Sequence, residues 1–531
     1  MKQENRKIKK ALISVSDKTG LEKLVRFLHE FKVEIISTGG TQKFIESLNI
    51  PVTAVESVTK NPEAFGGRMK SISFQIGSGL LYRRYHETDL KEASDMNIPE
   101  IDLVVCNLYP FEKYVGINAN EDTLIENIDI GGPLMLRAAA KNYESVAVLS
   151  SPTDYETFIE KYNIHQNTNF LDRRTWAIQT FQRIASYDIA IADELNHRFG
   201  DDQKNFLDFN KQHTLRYGEN PHQKATLAYV SNTNSQTKLT DAKFLQGKEL
   251  SYNNWLDMDA AWRCMSDVYH SQSQSLKNKV TVVVKHSNPC GLVADQDSFS
   301  SLEKAWMGDS ISSFGGIIAC SYKIELEHAE FLTQRFIEVL IAPEFSAEAL
   351  TIFEKKKNVR IMQSPIRDFT QNETMLRSIS GGLLIQNEDE LSLAQEKEEL
   401  VTKRTFDLIS SELKRFGVLA CKFLKSNGIA LVAENNGSYE LLAAGMGQPN
   451  RLDSLRLLAH SRLKAKSISP KQIVLISDAF FPFADSVEVC AELGIEYIIQ
   501  PGGSIKDKEV IECCDKNNIA MILTRVRHFR H

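Results

Sequence analysis

At 531 residues the chain exceeds what one hydrophobic core organises, and 42% hydrophobic with 25% charged residues is ordinary folded composition, so two or three globular domains are expected and disorder is excluded as the default. A net charge of -6 leaves no overall basic footprint, which argues against nucleic-acid and acidic-membrane binding and requires any anionic ligand to be held locally. Eight cysteines without a C-x-x-C pair and apolar runs too short for a bilayer argue against a disulfide framework, a zinc ribbon or a membrane anchor, and for a cytoplasmic address.

Ala11 to Val15 reads as a buried strand, followed by Leu21, Leu24, Val25 and Leu28 at helical spacing. Val33 to Ile36 and a helix carrying Phe44, Ile45 and Leu48 repeat the plan, which predicts a parallel α/β sheet. Ligands collect at the carboxyl edge of such sheets, where the loops "SVSDKTG" and "STGGT" lie. Gly39 and Gly40 let backbone amides approach a ligand, and Thr41 is placed to cap the next helix, so the chemistry suits a phosphate. A lone Gly-Gly by itself would favour a plain strand-to-helix turn. Neither a P-loop nor a G-x-G-x-x-G is present.

"FGGRMKS" directs Arg68 and Lys70 to one face of an extended segment. A strand from Asp102 to Cys106 opens at Asn107 and delivers Tyr109. "NIDIGGPLMLRAAAKN" sets Asp129 before a Gly-Gly-Pro helix start and puts Arg137 and Lys141 on one helical face. Polarity rises over residues 197 to 212, predicting a domain boundary near 200, after which "LRYGENPHQKA" carries Arg216 and Tyr217 in a turn.

"TVVVKHSNPCG", Thr281 to Gly291, is a buried strand that ends on Lys285 and His286. A strand end exiting into solvent is the bland reading. A regular strand would point these neighbours to opposite faces, so the backbone is predicted to turn at Lys285 and His286, the Asn-Pro breaking the pleat, to bring both into one cleft. "NPCG" lacks the second cysteine and the H-x-E of zinc deaminases, so no metal is expected and general acid/base and oxyanion roles remain for the pair. The charge-dense stretch from Asn387 predicts a solvent-facing helix joining two lobes, and "IVLISDAFFPFAD" looks like the counterpart of the Lys285 strand in a second lobe.

The motifs "SVSDKTG", "STGGT", "GGRMK", "NLYPF", "IDIGG", "RAAAKN", "LRYGENPHQ", "VKHSNPCG", "SSFGG", "SDAFFPF" and "RHFRH" together resemble, in order and over nearly the whole chain, a bifunctional purine-biosynthesis family. That family combines 5-aminoimidazole-4-carboxamide ribonucleotide (AICAR) formyltransferase with inosine monophosphate (IMP) cyclohydrolase. The resemblance implies a methylglyoxal-synthase-like parallel-sheet cyclohydrolase domain at 1 to 199. It also implies a formyltransferase domain at 200 to 531 made of two zinc-free cytidine-deaminase-like lobes, about 200 to 385 and 386 to 531. The substrates are then AICAR, formyl-AICAR and IMP, with 10-formyltetrahydrofolate as cosubstrate. A homodimer, a structural potassium ion and no required metal come with it.

The resemblance also implies roles. In formyl transfer His286 is the base and Lys285 the oxyanion stabiliser or acid. Arg216, Tyr217, Gly315, Glu338, Asn427, Arg451, Phe480 and Arg527 form its nucleotide pocket, and Leu452, Asp485, Ser504 and Ile505 face the folate. In ring closure Lys141 and Asp129 shuttle protons while Lys70 and Tyr109 polarise the carbonyl. Ser16, Asp17, Lys18, Thr38, Gly39, Gly40, Thr41, Arg68, Asn107 and Gly131 cradle that nucleotide. Three departures stand out: Glu338 replaces an aspartate of some relatives, "GMGQPNR" replaces a GIGAGQ-x-x-R pattern, and "SISFQIGSG" replaces a segment with two histidines and a proline. The rival readings are a purely regulatory N-terminal module, a zinc hydrolase in the second half, and a solvated tail at "TRVRHFRH".

Overall fold

The first apolar run forms strand β1 (Lys10–Val15), at the centre of a parallel sheet with β2 (Glu34–Ser37), β3 (Thr53–Ala54), β4 (Leu103–Asn107) and β5 (Ala147–Leu149), in the order β3-β2-β1-β4-β5. The computed structural model describes residues 5–61, 72–115, 119–200, 209–230, 237–273, 277–368, 373–389, 398–463 and 472–531. They fall in two units, Met1–Asn210 with Val230–Asn232, and Lys211–Tyr229 with Thr233–His531.

In the first unit every residue of β4 is buried, because helices cover both faces of a parallel sheet. Helix α1 (Leu21–Glu30) buries Leu21, Leu24, Val25 and Leu28, the four positions its periodicity selects. Register aligns Val15 with Asn107, so the loops after β1 and β4 leave the same edge. The start of β4 is anchored by Asp102, which accepts the Lys9 and Lys10 N–H groups at 2.8 and 2.9 Å and pairs with the equally buried Arg84 at 2.7 Å.

The second unit is built on a twelve-stranded sheet whose two halves repeat one plan. In the first half, the hairpin Lys279–Lys285 and Asn288–Asp295 is followed by Gly316–Cys320 antiparallel to its first strand, then by Ile337–Ala342 and Arg360–Gln363 in parallel, with Lys243–Gln246 as the antiparallel edge. In the second, the hairpin Ile429–Asn435 and Ser438–Gly445 is followed by Val474–Ser477, Tyr497–Gln500 and Ala520–Leu523, with Glu399–Leu400 as the edge. The halves join where Val293 pairs Glu440 and Ala294 pairs Tyr439. The counterpart of the Lys285 strand is therefore Ile429–Asn435. The strand within "IVLISDAFFPFAD" matches Gly316–Cys320 instead, because equivalence follows chain order within each half.

Helices Tyr252–His270 and Ser411–Lys422 cover one face of this sheet with a core that runs through both halves, from Val282 and Val284 to Ala430 and Val432. The opposite face carries two separate cores, one around Val283, Leu302 and Trp306 and one around Leu431, Phe481 and Val487. The charge-dense segment does not form the expected helix among its described residues: Glu399–Leu400 pairs with Ala520–Leu523, and residues 390–397 lie outside the described chain. No helix of the described residues is long and apolar enough to cross a membrane.

Helix Ser298–Gly308 lies so close to Asn288–Asp295 that a methyl on Gly291 would stand 1.9 Å from the Ala305 carbonyl oxygen. Gly291→Ala is expected to destabilise the chain by about 3 kcal/mol through this overpacking, measured as a lower urea midpoint.

Candidate active sites

In the first unit, Asn107 at the end of β4 shapes the loop after β1. Its Oδ1 accepts the Ser16 and Asp17 N–H groups at 2.7 and 2.9 Å, and its Nδ2 donates to the Asp17 carbonyl at 2.7 Å. Hydrogen bonds from the Thr19 hydroxyl and N–H hold the Asp17 carboxyl below the usual range; Lys18 lies between these two residues, half-buried. Thr41 does not cap helix α2 (Gly39–Ser47) as expected. Its hydroxyl exchanges hydrogen bonds with the Val15 N–H and carbonyl, tying α2 to β1. The N-cap is Thr38, whose buried hydroxyl has no hydrogen-bond partner, and a side chain added at Gly40 would meet nothing within 4 Å. The helix start thus presents an uncapped N-terminus suited to an anion.

Asp129 stands beside the same edge. Its Oδ1 accepts the Gly132 N–H at 2.8 Å, and its own N–H donates to the Tyr187 hydroxyl at 2.8 Å. Burial pushes its carboxyl above the usual range, opposed by the Gly132 and Tyr109 N–H groups. Burial likewise pushes the Tyr187 phenol up to about 12. A Cβ on Gly132 would lie 2.6 Å from Asp129 Oδ2, which accounts for glycine at the start of helix α3 (Gly131–Lys141). Tyr109 leaves its ring exposed.

The structure does not bring Lys141 to Asp129. Lys141 ends α3, and at 1.5 Å per residue it lies roughly 15 Å from Gly131. It faces a groove of about 990 Å³ with Phe74, Leu81, Leu134, Arg137 and Phe181. The expected shuttle between the two residues is therefore not formed within one chain. Arg68 and Lys70 lie outside the described residues. Of the divergent segment, Ser73 caps a helix, Phe74–Leu81, by accepting the Ile76 N–H at 3.1 Å.

In the second unit, Lys285 pairs with Asn288 across a two-residue turn made by His286 and Ser287, at φ 52° and 60°. The turn thus lies one residue later than predicted; Asn288 and Pro289 open the next strand, whose register shifts between Pro289 and Gly291. Left-handed backbone costs a non-glycine residue about 1–2 kcal/mol, so strain is concentrated at this turn. The Lys285 ammonium donates to the Phe314 and Gly315 carbonyls at 2.9 and 3.0 Å, and His286 is exposed. Gly315 is left-handed at φ 69°, and a Cβ there would crowd the Phe336 ring at 3.0 Å and Lys285 Nζ at 3.1 Å.

Asn288 links this turn to the other half of the sheet, donating to the His286 carbonyl and accepting the Lys425 N–H, both at 2.9 Å. Beyond Lys425, Asn427, Arg451 and Phe480 form one cluster. Buried Arg451 donates to Asn427 Oδ1 at 3.0 Å, the Phe480 carbonyl at 2.9 Å and Asp478 Oδ1 at 2.8 Å. Two nitrogens of the guanidinium thereby fix Asn427 and Phe480, while its buried Nε has no hydrogen-bond partner among the described residues. Gln500 Oε1 accepts the Phe481 and Gly502 N–H groups at 3.0 and 3.3 Å, joining the loops that carry Asp485 and Ser504. Leu452 is half-buried beside Arg451, and Ile505 is wholly exposed.

Arg216 donates to the Tyr217 hydroxyl at 2.8 Å and stacks 4.7 Å over its ring. Glu338 pairs with buried Arg360. Arg527 stacks 4.4 Å over Phe529 on a C-terminus that is pinned, not solvated: His528 N donates to the Asp478 carbonyl at 3.0 Å and Arg530 N to Ser426 Oγ at 3.1 Å. Asp257, and the long-range roles of Asn288 and Asp478, escaped the sequence reading. Each acts on a residue tens of positions away, which no local pattern signals.

The raised Asp129 carboxyl has a signed consequence. A folded-state pKa above the unfolded value stabilises the fold at low pH, and that contribution is lost as pH rises through the folded pKa. Asp129→Asn is expected to remove this loss and leave stability at pH 7 undiminished, checked by urea unfolding of both chains from pH 4 to 7.

A family model described as AICARFT/IMPCHase bienzyme matches residues 139–461, and one described as an MGS-like domain matches residues 20–134. The chain is similar to the bifunctional purine biosynthesis protein PurH of Halalkalibacterium halodurans, 40% identical over 98% of this chain and 100% of that one. The protein of the same name from Listeria monocytogenes serotype 4b (strain F2365) is 42% identical over 99% and 100%. A crystal structure described as ForH aligns with 35% of this chain and 96% of its own at 29% identity and a TM-score of 0.33. With full-length relatives at this identity and family models over both units, the chain belongs to the AICARFT/IMPCHase bienzyme family of purine biosynthesis.

Proposed function

We infer that the chain carries out two successive reactions: transfer of a formyl group from 10-formyltetrahydrofolate to the 5-amine of AICAR, then dehydrative closure of formyl-AICAR to IMP. The family match supports this reading, and the His286–Ser287 turn that follows Lys285 carries the assignment of the first step.

The 5-amine is a weak nucleophile, because its lone pair is drawn into a ring bearing a carboxamide. As its nitrogen bonds to the formyl carbon, exposed His286 takes the proton. Two of the three N–H groups of Lys285 are spent on the Phe314 and Gly315 carbonyls. The third remains for the oxygen that becomes anionic in the tetrahedral intermediate, or to protonate the departing folate nitrogen as the bond from carbon to that nitrogen breaks. Arg216, Tyr217, Gly315, Glu338, Asn427, Arg451, Phe480 and Arg527 are proposed to bind or shape the AICAR pocket, with Leu452, Asp485, Ser504 and Ile505 toward the folate.

In ring closure the carboxamide nitrogen attacks the formyl carbon and water leaves. Asp129, favoured in its protonated form by burial, is suited to hand a proton to the departing oxygen. The loops at Ser16 to Lys18 and Thr38 to Thr41 are suited to the nucleotide phosphate, with Asn107 and Gly131 shaping the pocket. Arg68, Lys70, Tyr109 and Lys141 are assigned to this site by family resemblance. We further propose a cytoplasmic homodimer, ring closure in residues 1–199 and formyl transfer in 200–531. The two matching halves of the sheet support a description of the latter as two cytidine-deaminase-like lobes.

With AICAR and 10-formyltetrahydrofolate, His286→Ala is expected to lower formyl transfer by about 10³-fold while supplied formyl-AICAR is still closed at the wild-type rate. Lys141→Ala is expected to make formyl-AICAR and little IMP, with products resolved by chromatography; IMP at the wild-type rate would remove Lys141 from the mechanism.

A further inference from the structure

The turn that presents Lys285 and His286 is made of residues poorly suited to it. A two-residue hairpin turn with both central residues left-handed favours Asn-Gly, and the second half of the sheet uses that pair, Asn436 and Gly437 at φ 51° and 79°. At the matching place in the first half stand His286 and Ser287. One side chain from another element supports them. Asp257 Oδ1 accepts the Ser287 N–H at 2.6 Å and its hydroxyl at 3.3 Å, and Oδ2 accepts the His286 N–H at 3.3 Å.

The helix carrying Asp257, Tyr252–His270, is fixed at its start by reciprocal hydrogen bonds between Ser251 and Asn254. Asn253, four residues before Asp257 and so on the same face, donates to the Glu219 carbonyl at 3.2 Å. One helical face therefore sets both the His286 turn and the loop that bears Arg216 and Tyr217.

We propose that Asp257 is a positioning residue for formyl transfer. Its carboxylate does for this turn what glycine does in the other half, holding the left-handed backbone so that the imidazole and the Lys285 ammonium are presented together. A carboxylate suits the place because both oxygens accept, whereas an amide has a single accepting oxygen. The proposal rests on the reading of His286 and Lys285 given above.

The test is a double-mutant cycle in the full chain, with Asp257→Ala, Ser287→Gly and the two combined, assayed for formyl transfer and, as a folding control, for closure of supplied formyl-AICAR. Asp257→Ala is expected to lower the formyl-transfer kcat about 30-fold, within the range that a misplacement near one ångström produces, with KM for AICAR changed less than about threefold. In the Ser287→Gly background the same substitution is expected to cost less than about threefold, since glycine adopts the left-handed conformation unaided. An unchanged kcat in Asp257→Ala, or an equal loss in both backgrounds, would overturn the proposal. Where the alanine chain does not fold, Asp257→Asn replaces it: a loss relieved by Ser287→Gly supports the proposal, and no loss, or one that persists, overturns it. A wild-type chain without formyl transfer would instead overturn the assignment of activity.

Discussion

The seam between Asn288–Asp295 and Ser438–Gly445 is the constraint on which the second unit depends. It is short, with Val293 set against Glu440 and Ala294 against Tyr439, yet it makes one sheet out of two. Lys285, His286 and Gly315 belong to one half and Asn427, Arg451 and Phe480 to the other, and the seam brings the two halves together. Asn288 extends it at the level of side chains, reaching from the His286 carbonyl to the Lys425 N–H. The continuous core beneath Val282, Val284, Ala430 and Val432 fixes it from one face, each such valine contributing about 1.5–3 kcal/mol on burial.

The two sites manage charge in opposite ways. In the first unit the loops are held by neutral groups, Asn107 and Thr41, and the helix start at Gly39 and Gly40 remains open to an anion. In the second, charges are neutralised in place: Arg451 by Asp478, Glu338 by Arg360, Lys285 by two carbonyl dipoles. A buried ion pair gives little net stability, but removing one partner leaves a costly bare charge. Such pairs therefore fix geometry more than they add strength, which is what a site assembled from two halves of a sheet requires.

What could be read in the sequence was what local chemistry determines. Periodicity located β1, α1 and β4, and the abrupt end of an apolar run singled out Lys285 and His286. The turn itself was misplaced because Asn-Pro is a stronger turn signal than His-Ser, and the support that makes His-Ser workable comes from Asp257, about thirty residues earlier. The separation of Lys141 from Asp129 was legible in principle. Lys141 lies ten positions after Gly131 on one helix, roughly 15 Å along its axis. The charge-dense segment shows the converse error, since Glu399–Leu400 is a strand only because Ala520–Leu523 is there to pair with it.

The repetition within the twelve-stranded sheet also bears on how the chain reaches its fold. Two halves with the same strand order present each hairpin with two sheets it could join, and misassembly between repeated units is a characteristic failure in folding. The edges limit the damage. Glu399–Leu400 is only two residues long, and Lys243–Gln246 begins with a lysine, so neither offers a long, flat template to a wandering strand. The halves also lie in sequence one after the other, so the first can complete its local contacts before the second has been synthesised. The formyl-transfer residues come from both halves, so their neighbourhood requires the seam between the two hairpins.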